Sequence, residues 1–439
     1  MQESSMSVLA VRGGRPVRSK PFATWPQYSA ADLERLIGVV ESRNWGGFPF
    51  PNHGARHFGA RFAEMHGARY GAAVANGTVA LQVALRAVGL RFGDEVIVPA
   101  YTWEGTAAAV LFEGGVPVFV DVREDTLCLD ASLVEAAISE RTRAIMPVHL
   151  AMRFSDMDAL ATIAQRHRLA IIEDCAHAHG GRWKGRGAGS MGDLGCFSFQ
   201  TSKLMTAGEG GAVITSNPRY HEAVQAYVNC GRVGETDEYG VRLVGGNFRI
   251  TELQAALLIG QLERLGEQNA LRRERAARLA AGLAKIPYVA PLPPDPNITE
   301  EAIYQYVFRF LARETPIHRD VFVRALEEEG IPCEGRFYES VPRSDLFPAT
   351  AEQFPALAYN RPAPVDYRSV RCPVAERLAY EETVWLPHFL LLGSEEDIDD
   401  ILMAIEKVAT HLEELEGVEA GVKGVSRTGR SRLERHRQW

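Results

Sequence analysis

The sequence predicts an α/β protein with a mostly parallel central sheet in a large first domain, followed by a smaller α+β domain. Two observations carry this. From about residue 90 to residue 216, short β-rich apolar runs alternate with helical patterns, which is the signature of a parallel sheet covered on both faces. A Pro-rich stretch, Pro287–Pro296, then breaks a long helical pattern, and a separate group of elements follows it.

The elements follow in chain order. Thr78–Val88 places Ala80, Val83, Ala84, Ala87 and Val88 on one face at helical spacing. Strands are expected at Glu95–Pro99, Val118–Val122, Ala144–His149, Ala170–Glu173, Cys196–Phe199 and Ala212–Thr215, with a helix at Met157–His167. Thr251–Leu265 opens a helix that runs to about Ile286. Beyond the break, Tyr304–Phe310 reads as a strand, and His318–Glu329 and Glu395–Leu415 read as helices. The domains are therefore 1–286 and 287–416, with 417–439 a loose basic tail poor in apolar residues.

Bulk properties exclude several classes. The 439 residues are 46% apolar and carry a net charge of −8, which gives no electrostatic support for nucleic-acid binding. The six cysteines form no CxxC pair, and a chain of this size needs no disulfide framework. The first residues lack a basic segment followed by an apolar run, and no apolar stretch is long enough to span a bilayer, so a cytoplasmic protein without a membrane partner is expected. No strand is followed by a GxGxxG helix start, which removes a nicotinamide-binding reading.

Four segments carry chemistry. Ile171–Gly180 is a buried strand ending in Asp174, a carboxylate able to hold a protonated ring nitrogen; the same Asp also suits a turn cap. Its Cys175-x-His177-x-His179 offers metal ligands, although the spacing matches no common zinc pattern. Phe197–Gly211 is a strand, a polar loop containing Lys203 and a glycine-rich return. A deprotonated lysine forms an imine with an aldehyde cofactor, and Ser198 and Ser202 can bond a phosphate. Ala75-Asn76-Gly77-Thr78 opens a helix, where exposed N–H groups attract anions. Gly245–Glu252 presents Asn247 and Arg249 on a glycine loop before a helix, which suits phosphate or carboxylate recognition.

Taken together and in this order, these segments resemble the DegT/DnrJ/EryC1/StrS family of sugar aminotransferases dependent on pyridoxal 5'-phosphate (PLP). The likeness runs from about Pro21 to about Ala409 and includes Pro99-Ala100-Tyr101-Thr102-Trp103, Pro147-Val148-His149-Leu150 and Cys372–Arg377. It implies PLP fold type I, the aspartate aminotransferase type. It also implies Lys203 as the imine lysine, Asp174 on the pyridine nitrogen and His177 near the phenolic oxygen. Trp103 would stack on the ring, and Gly77, Thr78 and Ser198 would hold the phosphate. Asn247 would reach the cofactor phosphate of a neighbouring subunit, which implies a homodimer. In the chemistry so implied, Lys203 removes and returns a proton while the pyridinium absorbs the electron pair.

Departures from the family pattern bear on the substrate. Glu104 follows Trp103, Met152 stands where Gly is common, and Val384–His388 differs from the Leu-Pro-x-His-Pro of nucleotide-sugar enzymes. Trp25-Pro26-Gln27 and the Leu-rich run after His388 look more like scyllo-inosose aminotransferases and aminohydroxybenzoate synthases. The resemblance thus implies a ketone on a sugar-like or cyclitol ring in aminoglycoside or amino-sugar biosynthesis, with glutamate or glutamine as donor. Glu104, Arg153, Arg249, Tyr338 and His388 are the candidate substrate contacts; for each the alternative is a structural polar residue, and for Arg153 that alternative weighs at least as much. A nucleotide-sugar aminotransferase and a non-catalytic regulator or scaffold are the alternatives. A related sugar-deoxygenating branch carries His in place of the lysine, and Lys203 speaks against it.

Overall fold

In a computed structural model, residues 8–47, 52–232 and 243–420 are described. The strands of the central sheet form at short, largely apolar runs: β1 is Tyr70–Val74, β2 Glu95–Pro99, β3 Val116–Val120, β4 Thr142–Ile145, β5 Ala170–Asp174, β6 Leu194–Ser198 and β7 Gly211–Thr215. They make one sheet in the order β1-β7-β6-β5-β4-β2-β3. The ladders from β6 to β3 are parallel, whereas β7 runs antiparallel to both β6 and β1.

Side chains alternate across this sheet with period two. Ile97, Ile145, Ile171, Phe197 and Ile214 enter one core with Phe58, Phe62 and Leu160. Their neighbours Val96, Ala144, Ile172, Cys196 and Val213 enter the other, with Ala80, Val83 and Ala84. Each large apolar side chain so buried contributes about 1.5–3 kcal/mol. The covering helices are α1 (Ala30–Ser42), α2 (His53–His66), α3 (Gly77–Ala87), α4 (Gly105–Phe112), α5 (Met157–His167), α6 (Pro218–Val228) and the long α7 (Glu252–Leu283). Thr251 caps α7 through a reciprocal box with Gln254.

After α7, strands β8 (Val289–Pro291), β9 (Gln305–Phe310) and β10 (Thr383–Pro387) form a small antiparallel sheet, packed by α8 (Arg319–Glu328) and α9 (Glu395–Thr410). Phe308, Phe322, Ile401 and Ile405 lie in its core, which extends to Tyr101 and Leu283 at the junction with the large sheet. Several expected boundaries shift. The third strand runs Val116–Val120 rather than Val118–Val122, and the next ends at Ile145, leaving only a single bridge from Val148 to Asp174. The last helix stops at Thr410, and a separate 3-10 turn covers Leu412–Leu415. Most of the expected basic tail, 421–439, lies outside the described residues. No helix among the described residues is long and apolar enough to cross a membrane.

Candidate active site

The carboxyl ends of β2, β5 and β6 and the start of α3 open on one cavity of about 1550 Å³, roofed by the smaller sheet and the N-terminal segment around Trp25. In open α/β sheets this is where ligands sit, because strand ends and helix starts converge there. Asp174 arrives as the last residue of β5, whose backbone N–H donates to Pro147 O at 2.9 Å. Its carboxylate accepts from Thr106 Oγ1 at 2.9 Å and from the Ala176 N–H at 3.1 Å. Burial pushes this carboxyl up from the ordinary range, opposed by those two donors and by the charge of Lys203.

Lys203 lies in the loop between β6 and β7 and is 8% exposed. Burial pushes its ammonium down to about 7, with Asp174 pulling the other way. A lysine held there supplies a neutral amine near neutral pH, which an exposed lysine cannot. Its Nζ lies over the ring of Tyr304, 4.2 Å from the centroid. The Tyr304 hydroxyl is 2.7 Å from Ser202 Oγ, so the aromatic platform and the lysine loop are tied together.

His177 stands beside them. Its Nδ1 accepts the Ala151 N–H at 3.0 Å, which leaves the proton on Nε2, 2.9 Å from the Tyr338 hydroxyl. Burial, with the nearby charge of Lys203, drives its pKa well below 6.5, so the ring is neutral. Tyr304 packs on its ring at 4.1 Å between centroids.

The start of α3 is pressed against the end of β6. A Cβ on Gly77 would fall 2.7 Å from Ser198 Cβ, so no larger residue fits without displacing one of the two elements. Asn76 caps the helix through the Val79 N–H, leaving the remaining first-turn donors, with Thr78 and Ser198, along the cavity wall. This cradle suits a phosphate, and Asp174 and Lys203 at the same cavity suit a ring nitrogen and an aldehyde. The residues present therefore fit PLP.

Trp103 lies at the cavity wall and is 48% exposed. Tyr338 and His388 reach the wall from the smaller sheet's side. His388 Nε2 bonds Ser202 O at 3.1 Å, and its ring meets Trp25 edge-on at 4.6 Å. Other expected contacts lie elsewhere. Glu104, just before α4, turns to Ser344, whose Oγ donates to it at 2.9 Å. Arg153 is held by Glu301 and by the carbonyls of Leu292 and Pro293. Arg249 donates to Asn229 Oδ1 at 2.7 Å, and Asn247 bridges the Asn229 backbone; neither lines this cavity. The Cys-x-His-x-His group does not converge either. His179 bonds Ser198 O, while Cys175 instead neighbours His149 and Glu173. Glu173 is engaged there by the N–H groups of Gly189, Met191 and Gly192 and by His149, which makes it a structural brace. Thr106 and Tyr304 are site residues that the motifs do not mark.

A family model described as the DegT/DnrJ/EryC1/StrS aminotransferase family matches residues 36–406. A Streptoalloteichus tenebrarius protein named as an L-glutamine:3-amino-2,3-dideoxy-scyllo-inosose aminotransferase is 46% identical, over 93% of this chain and 99% of its own. An L-glutamine:2-deoxy-scyllo-inosose aminotransferase of Micromonospora echinospora is 39% identical, over 94% of this chain and 100% of its own. Among solved structures, 3-amino-5-hydroxybenzoic acid synthase superposes with a TM-score of 0.79 at 35% identity, over 90% of this chain and 100% of that one. Sequence, fold and cavity agree, and the chain belongs to the DegT/DnrJ/EryC1/StrS family of aminotransferases.

Proposed function

We propose that this aminotransferase holds PLP on Lys203 and moves an amino group from L-glutamine to the ketone of a scyllo-inosose-type cyclitol, in aminoglycoside biosynthesis. The observation that carries the cofactor reading is a single one: a buried lysine with its amine pushed down to about 7, in one cavity with a strand-end carboxylate and a glycine-floored helix start. The names of the full-length relatives support the donor and the ring.

Bound PLP would supply an electron sink for the pair released when a C–H bond beside the transferred nitrogen breaks. The chain's own residues do the rest. Asp174 would hold the ring nitrogen protonated, and the α3 start with Thr78 and Ser198 would bind the phosphate. Trp103, at the cavity wall, would pack against the cofactor ring, and neutral His177 holds its Nε2 proton toward the Tyr338 hydroxyl. Lys203 Nζ, with its amine neutral near pH 7, would take up the proton of that C–H bond and give it back, as base and then acid. Tyr338 and His388 contact the substrate. Glu104 and Arg249 do not line this cavity, and Asn247 with Arg249 belongs in this reading to the surface presented to a second copy, so the working unit is a homodimer, placed in the cytoplasm.

The test is an absorption titration with PLP, before and after L-glutamine or L-glutamate, on wild type and Lys203→Ala. A band of lysine-bound PLP that glutamine bleaches in wild type and that the variant never shows supports the reading. Scyllo-inosose ketones should then regenerate the band, with nucleotide-sugar ketones as the comparison. A wild type that forms no band at saturating PLP sinks the proposal and leaves the scaffold alternative.

A further inference from the structure

Two threonines stand behind Asp174. Thr102, in the segment between β2 and α4, and Thr106, in the first turn of α4, are each 1% exposed. Thr106 Oγ1 donates its one hydrogen to Asp174 Oδ2, so in the 3.1 Å contact between the two hydroxyls Thr102 is the donor. Donation therefore runs from Thr102 to Thr106 to Asp174. The other carboxylate oxygen accepts the Ala176 N–H from the strand's own continuation.

Left to burial alone, Asp174 would favour its neutral acid. The groups around it divide. Lys203 from the β6–β7 loop and His149 from the segment after β4 favour the anion. Cys175 and Cys196 are thiols pushed well above 9 by burial and stay uncharged, and Glu173 turns to the Gly189–Gly192 backbone. Burial pushes Lys203 down to about 7, so its support fades as pH rises through that value. Thr106 donates at every pH.

We propose that Thr106 is a positioning residue: its hydroxyl, oriented by Thr102, holds Asp174 as an anion with Oδ2 fixed, ready to accept from a protonated ring nitrogen. This rests on the reading that the cavity binds PLP. It acts through Asp174 alone, so it concerns only ligands that carry that ring nitrogen.

The experiment compares apoprotein affinity for PLP and for its 1-deaza analogue, in which carbon replaces the ring nitrogen, across pH in wild type, Thr106→Val and Thr106→Ser. Valine keeps the shape and removes the donor. Thr106→Val should weaken PLP about tenfold and move the acid limb of PLP binding up by about one pH unit, leaving the deaza analogue unchanged, with Thr106→Ser restoring both. Thr102→Val should shift the limb the same way by less, and it carries the test should Thr106→Val fail to fold. Equal weakening of both ligands, or an unmoved acid limb, overturns the inference. A wild type that takes up neither ligand overturns the PLP reading itself, a result distinct from a defect confined to the variants.

Discussion

The amine of Lys203 rests 4.2 Å from the centre of the Tyr304 ring, and the two residues come from different elements, the β6–β7 loop and the segment just before β9. The ring face attracts an ammonium more than a neutral amine, so Tyr304 opposes the burial that pushes Lys203 down. Tyr304→Leu is expected to lower the Lys203 value by a further half to one unit, roughly, while Tyr304→Phe leaves it near about 7. The pH dependence of amine acylation in the apoprotein measures this directly.

Lys203 also costs stability. Its folded value, about 7, lies below the ordinary 10.5, so the unfolded chain binds more protons between those limits. The contribution to stability therefore rises with pH across that window, and the full cost is present below about pH 7. Lys203→Met is expected to abolish transamination and to raise the apoprotein Tm by several degrees at pH 6–7. That gain should vanish by about pH 10.5. Thermal unfolding of both proteins across pH decides it, and a gain that persists at high pH would contradict the assignment.

Tyr338→Phe removes the acceptor for His177 Nε2–H inside a buried site. Leaving that donor unsatisfied costs about 1–3 kcal/mol. The expected result is a fall in kcat of roughly tenfold with an unchanged pH profile between 5 and 8, because burial already holds His177 neutral there. A new limb near pH 6.5 in the variant would show that the imidazole titrates.

Gly77→Ala places a methyl 2.7 Å from Ser198 Cβ, closer than side chains tolerate. Either the first turn of α3 or the end of β6 must move, and both line the phosphate cradle. PLP affinity should fall about tenfold or more, while L-glutamine reactivity of whatever cofactor remains bound is affected less. An absorption titration followed by single-turnover kinetics separates the two.

What could be read from the chain alone follows from local chemistry. Continuous apolar runs mark buried strands, so the strand ends carrying Asp174 and Ser198 and the loop carrying Lys203 were legible. Strand β1, Tyr-Gly-Ala-Ala-Val, was not, because Gly and Ala have little β-propensity and the strand pairs only with antiparallel β7. Helix α4 is apolar on nearly every face and shows no 3.6-residue rhythm, which also hid Thr106. Glu104 adjoins Trp103 in sequence but faces Ser344, since a turn sends successive side chains in different directions. Tyr304 meets Lys203 only through the fold, although its own run of aromatic residues was visible as a strand.

The reversal of β7 sets a division between the two sides of the cavity. Ser198 and Gly211, the residues that enter and leave the lysine loop, are register partners in one antiparallel ladder. Both feet of the loop are thus pinned to each other as well as to the sheet, and the amine is carried on a closed arch that cannot lengthen or slide. An ordinary parallel crossover would have placed those feet far apart. Adaptation to a larger or smaller ring therefore falls to residues outside the arch, Tyr338 and His388, the second of which touches the arch at Ser202 O, and variation in ring preference among such enzymes should be written there, with the arch left untouched.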